Sequence, residues 1–153
     1  MLSLILPVLV MQLASPAPPA DNERCWKAEV VAGIRVQAYQ GDRKCVDFSA
    51  PRQISGIWIN EFESSAFYEG ARTIADTRGE KPQVWFSTDE ETKLLPHLRP
   101  QLGHAYRITI IGRAAADMDR GPMKGYGHMS MSPGLVLADR IIAIEDLGSA
   151  RGN

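Results

Sequence analysis

The most distinctive side-chain chemistry in the sequence is His128-Met129-Ser130-Met131, with Met118 and Met123 upstream. Two thioethers and an imidazole are soft ligands of the kind that select Cu(I). On an extended chain Met129 and Met131 project to one face and His128 to the other. The three donors therefore reach one ion only if the backbone turns at His128, a turn that Gly125 and Gly127 permit. Met118 or Met123 folding back, or an imidazole from His97 or His104, are alternative donors. The competing role for these methionines is to fill irregular gaps in an apolar core.

Two further sets of residues have types that do chemistry. Glu61 and Glu63 share a face if residues 56 to 63 are extended, and paired carboxylates do acid–base work or bind a hard cation. The alternative is two solvated acids at a strand end, facing Arg72 or Arg113. Trp58, Phe62, Trp85 and Tyr126 supply aromatic surface of the kind that binds strands or sugars, or else that fills a barrel core or covers its open end. The candidate ligand-binding residues are thus Trp58, Glu61, Glu63, Arg113 and Tyr126, and the candidate metal ligands are His128, Met129 and Met131.

No known catalytic motif accompanies them. There is no Gly-x-Ser-x-Gly, no phosphate-binding glycine loop and no His-Glu-x-x-His. Gly121 to Gly127 is glycine-rich but lacks the strand-loop-helix context of a phosphate cradle, and reads as a mobile loop between strands. An enzyme reading requires Glu61, Glu63, Arg113 and His128 to converge in one cleft. The 17 basic and 18 acidic residues leave a net charge of −1. Phosphate neutralisation drives nucleic-acid binding, so a near-neutral chain is a poor candidate for it.

The amino-terminal segment bears on compartment. The first twenty residues contain no charged side chain, and Leu2 to Leu13 is almost wholly apolar. That run has the length of a signal-peptide core and is too short to span a bilayer, which needs about 20 apolar residues. Ala14 to Ala20 is small and Pro-rich, and polar Asp21-Asn22-Glu23 follows. Residues 1–20 therefore read as a signal peptide, giving a periplasmic or secreted protein whose single domain occupies residues 21–153, with no later transmembrane helix. In an oxidising compartment Cys25 and Cys45, the only two cysteines, are expected to pair.

The elements that would position these residues follow from periodicity. From Trp26 to Tyr39 every even position is apolar and most odd positions are polar. This predicts one long half-buried strand, bent at Gly33, with its even side buried. Gly56 to Phe62 and Gln83 to Ser87 are the next strands, and Ser64 to Gly79 is mixed. Thr88 with Glu91 matches a capping box and predicts a short helix to Leu95, stopped by Pro96. Tyr106 to Arg113 is a strand with Ile108 and Ile110 on one face. Leu135 to Leu147 is the last strand, with a kink at Asp139-Arg140. Five strands with a helix between the third and fourth predict a mostly β, five-stranded OB-like barrel with one short helix.

Gly56 to Phe67, Tyr106 to Arg113, Gly125 to Met129 and Val136 to Ile142 resemble segments of small exported bacterial proteins with an OB-like fold and no established activity. The resemblance implies fold and export, and no mechanism. The expected function is an exported, non-catalytic barrel that binds a small ligand or an envelope partner at one face and the adjoining loops. The alternative is a periplasmic copper-binding protein with Met and His ligands, Cu(I) being the one cofactor considered.

Overall fold

The computed structural model describes residues 26–39, 46–79, 83–96, 98–121 and 124–151. The expected signal segment, Cys25 and Cys45 lie outside the described residues.

Residues 26–39 form a hairpin, not one bent strand. β1 (Trp26–Val31) pairs antiparallel with β2 (Ile34–Tyr39). Ala32 and Gly33 both take positive φ, 52° and 81°, the two-residue turn that matches the twist of antiparallel strands. The glycine read as a bend is the second residue of this turn. Trp26 pairs with Tyr39 and Val30 with Arg35, so even positions of β1 oppose odd positions of β2. The turn therefore reverses the parity of the alternation, even positions of one strand standing opposite odd positions of the other. Val30 and Ile34 are 70% and 66% exposed, against the expectation that the even positions are buried.

The barrel begins after the hairpin. β3 (Arg52–Glu61), β4 (Ser64–Glu69), β5 (Val84–Ser87), β6 (His104–Ala114) and β7 (Leu135–Ser149) close in the order β3-β4-β5-β7-β6. Every pairing is antiparallel except β5 with β7. Counted along the chain the barrel strands run one-two-three-five-four and return to one, an OB-like arrangement. The five strands are thus not those expected. Residues 26–39 form a separate two-stranded sheet whose second strand lies beside the 128–130 segment, and β4, from the segment that looked mixed, takes their place in the barrel.

Alternation fills the interior. Ile54 and Trp58 from β3, Phe67 from β4, Phe86 from β5 and Tyr106, Ile108 and Ile110 from β6 meet Val136, Ala138 and Ile141 of β7. The pairing of β6 with β7 skips Asp139 and Ile142, so the long last strand coils at the predicted kink.

No helix forms over residues 88–95. The Asp89 carboxylate accepts from the Glu91 N–H, and the Asp89 N–H donates to the Thr92 hydroxyl, closing a turn that does not propagate. Thr92 then donates to the Ala138 carbonyl at 2.7 Å, and Lys93 pairs with Arg140. Leu95 and Leu98 pack on the core from this irregular segment. The helical turns among the described residues are two short 3-10 segments, Ile74–Thr77 and His128–Ser130. The capping box expected at Thr88 and Glu91 does not form; Thr73 and Asp76 form one instead, at the start of the Ile74–Thr77 turn.

Candidate functional site: a groove at one end of the barrel

OB-like barrels commonly bind ligands on the outer face of their second and third strands, between flanking loops. Here those strands are β4 and β5, and the face is covered from within the chain. The described residues of the β6–β7 connection form a packed structure, not a mobile loop. Tyr126 is buried, its hydroxyl donates to the Asp117 carbonyl at 3.1 Å, and Arg120 lies 5.0 Å over its ring. Burial is the main reason its phenol is held above the usual tyrosine range. Tyr126 also bridges to Ser132. Gly127, at φ 70°, lies against Trp85 so closely that a Cβ there would come within 2.1 Å of the indole. Trp85 is on the outward side of β5, opposite Ala66 of β4, so the connection seals the centre of the usual binding face.

Among the described residues an open surface lies at one end of the barrel, where three segments meet. The β3–β4 turn places Phe62 and Glu63 at its tip, with Glu63 at φ 57°. The tight hairpin leaves the Phe62 ring no core to enter, and it is 78% exposed. Leu102, in the turn before β6, is 66% exposed. The N–H of Gly103 donates to the Asn60 carbonyl at 2.6 Å, and that of Ala150 donates to the Gly103 carbonyl at 2.8 Å, tying the segments together. Between them lies a groove of about 420 Å³, lined by Glu61, Phe62, Leu102, Gly103, His104, Ser149 and Arg151.

The polar wall of this groove is arranged in pairs. His104 Nδ1 is 2.9 Å from both carboxylate oxygens of Asp146. An irregularity in the β6–β7 pairing between His104 and Tyr106 brings Asp146 beside the ring. The Gly148 N–H donates to Asp146 Oδ1 at 2.7 Å. That bond first, and His104 second, hold the Asp146 carboxyl below the usual carboxylate range. The carboxylate selects the tautomer with hydrogen on Nδ1, leaving Nε2 for other contacts. The imidazole stacks on Tyr106, centroids 6.2 Å apart. Arg151 Nε donates to Glu61 Oε1 at 3.3 Å.

The expected site residues are dispersed around this end and beyond it. Trp58 is in the core, where Nε1 donates to Ser65 Oγ at 2.9 Å and Ser65 donates to the Phe86 carbonyl at 2.8 Å. Its ring packs 4.9 Å from Phe86 and 5.3 Å from Tyr106. Trp58 and Tyr126 thus fill and cover the barrel and offer no free surface. Glu61 lines the groove. Glu63 does not share its face, because the chain reverses at Phe62 and Glu63; it faces His128 Nε2 at 3.6 Å instead. Arg113 pairs with Asp139 at 2.9 Å, nine residues along β6 from His104 and so about 30 Å away. Glu61, Glu63, Arg113 and His128 therefore share no single cleft.

The backbone does turn around His128. Gly127, Met129 and Ser130 have φ of 70°, 50° and 57°. Met129 and Met131 are exposed, so neither fills a core gap. Met118 packs over Gly134, while Met123 and His97 lie outside the described residues. Among the described residues no three His, Cys, Asp or Glu side chains gather as a metal site. No helix among them is long and apolar enough to cross a membrane.

Leu102, His104, Ser149 and Arg151 carry no joint signal in the sequence. They come from two strand ends some 45 positions apart, and only the β6–β7 register unites them. The exposed Phe62 beside Glu61 was the one local sign of this surface.

Fold and groove together define an OB-like β-barrel whose usual binding face is sealed and whose open surface is a mixed apolar and polar groove at one end. No family model, curated protein or solved structure matches the chain.

Proposed function

We propose that this chain is an exported, non-catalytic OB-like domain that binds a ligand or partner in the groove between Phe62 and Leu102. The observation that carries the reading is the pair of large apolar side chains left in solvent on either side of polar groups already fixed in pairs. Apolar side chains that meet a few convergent polar groups in one concave surface are the usual make-up of a ligand site. The uncharged apolar segment at residues 1–20 supports export, and the resemblance to small exported bacterial proteins points the same way.

The test is a photo-reactive amino acid placed at Phe62, with exposed Arg78 as the control position, in intact cells. The reading predicts an adduct from position 62 that is absent from position 78 and that disappears in a His104→Ala, Arg151→Ala background. Equal labelling from both positions, or labelling indifferent to His104 and Arg151, refutes it.

A second reading is Cu(I) binding by His128, Met129 and Met131. The positive-φ turn and the exposure of both thioethers favour it, because they remove the geometric objection that an extended segment would raise. Anaerobic Cu(I) titration against a chelating competitor, beside a Met129→Ile, Met131→Ile variant, tests it. Equal affinity for the two proteins, or none for either, excludes it.

A further inference from the structure

The chemistry of the barrel-end groove narrows its occupant, on the reading that the groove is a binding site. The groove offers one aromatic ring and one aliphatic side chain, Phe62 and Leu102. Between them stand a carboxylate, a guanidinium, an imidazole and a hydroxyl, from Glu61, Arg151, His104 and Ser149. Donors and acceptors are thus both present. The formal charges largely cancel, since Glu61 faces Arg151 and His104 faces Asp146.

This balance discriminates between ligand classes. A nucleic-acid strand needs an excess of cations along the phosphates, and the groove has none. An amphipathic helix needs apolar anchors repeated over two turns, and here two apolar groups stand alone. A pyranose ring has the complementary pattern. One face is a patch of C–H groups that lies flat on an aromatic ring, and its rim carries hydroxyls that each donate and accept. A carboxylate and a guanidinium side by side serve such a rim, one accepting and the other donating. Asp146 holds His104 beforehand, so little of its freedom is lost when a ligand arrives, whereas the exposed Arg151 is ordered by the ligand itself. The volume, about 420 Å³, is within the range of small-molecule sites.

We infer that the groove takes an uncharged saccharide, with one sugar ring stacked on Phe62 and its hydroxyls bonded to Glu61, His104 and Arg151. This site is displaced from the β4–β5 face that Trp85 and Gly127 close. A shallow groove with exposed walls fits a weak, rapidly exchanging contact with a sugar chain.

The experiment is an NMR titration of the mature, isotopically labelled protein with three uncharged probes: chitotetraose, cellotetraose and maltotetraose. At least one probe should shift the amides of residues 61–62, 102–104 and 149–151 in fast exchange, with a Kd in the region of ~0.1–5 mM. Phe62→Ala and His104→Gln should each weaken that binding by roughly tenfold. Arg140→Ala, on the exposed side of β7, should leave it unchanged. If none of the probes moves these amides at about ten times that concentration, or if shifts occur with equal size in Phe62→Ala, the saccharide inference is wrong. The photo-labelling experiment then separates two failures. An adduct from position 62 that needs His104 and Arg151 keeps the groove as a binding site for another ligand, and the loss of both results removes the site itself.

Discussion

Replacing Gly127 by alanine probes the seal over the β4–β5 face. Two costs act at this residue. Its backbone, at φ 70° and ψ −157°, lies in a region that is essentially reserved for glycine, and a side chain there costs about 1–3 kcal/mol. The new Cβ would also sit 2.1 Å from two atoms of the Trp85 indole, so loop or ring must move. Overpacking of this kind costs about 1–3 kcal/mol. A loss of about 2–6 kcal/mol is expected, a large part of the 5–15 kcal/mol typical of a whole domain. Gly70→Ala is the reference, since Gly70 has φ 76° and nothing within 4 Å of a built Cβ. It should cost only the left-handed backbone term, about 1–2 kcal/mol. Urea denaturation followed by far-ultraviolet circular dichroism measures all of these. In a Trp85→Ala background the Gly127→Ala penalty should fall to its backbone part. A penalty of the same size in both backgrounds, or one within about 0.5 kcal/mol of zero in the parent, would refute the close packing of this connection on Trp85.

Other perturbations address the core, the acid limb and the amino terminus. Ser65→Ala removes the acceptor for the Trp58 indole N–H inside the barrel and should cost about 1–3 kcal/mol in the same urea assay; a neutral result would mean that water replaces the hydroxyl. The folded-state carboxyl of Asp146 is held low, so it stabilises the fold above the unfolded pKa of about 3.9 and that contribution fades as pH falls below it. Asp146→Asn should therefore be less stable than the parent at pH 7 and show a flatter decline from pH 5 to 2, and parallel profiles would exclude this role. Mass spectrometry of the protein recovered from cells should show a chain beginning between Ala17 and Asn22 and one Cys25–Cys45 bond, lost on reduction; an intact Met1 with free thiols would overturn both expectations.

Much of the barrel was legible because its strands alternate by burial. Ile108 and Ile110 against Arg107 and Thr109 needed no tertiary information, and neither did the apolar start of β7. β4 was unreadable for a physical reason. Ser65 points inward to hold the Trp58 indole and the Phe86 carbonyl, so a polar residue occupies a core position and breaks the period. The helix expected at 88–95 failed because Asp89 and Thr92 satisfy each other locally and Thr92 then bonds across to β7. The hairpin at 26–39 misled in the opposite direction. Its even positions are apolar throughout, but a two-residue turn at Ala32-Gly33 reverses the parity halfway. Of the candidate ligand-binding and metal residues only Glu61 lies in the groove, beside Phe62 of the aromatic set and the alternative imidazole His104, since what surrounds them depends on where β6 begins and β7 ends.

The parallel pairing of β5 with β7 has a kinetic consequence. Strands made early have no complete partners until the last one arrives: β5 waits for residues 135–137, and β6 for nearly the whole of β7. A chain emerging from a ribosome or a translocation channel can form the β3–β4 hairpin as soon as both strands are out, yet the cylinder stays open along two seams until residue 149 is free. Closure is then a late, long-range event, which places this protein among slow-folding topologies. Before that moment the ends of β5 and β6 offer unpaired backbone to other chains. Deleting residues 135–153, the last nineteen, should therefore yield not a smaller barrel but an open sheet prone to association, and a holding chaperone would have its longest opportunity while β7 is still being delivered.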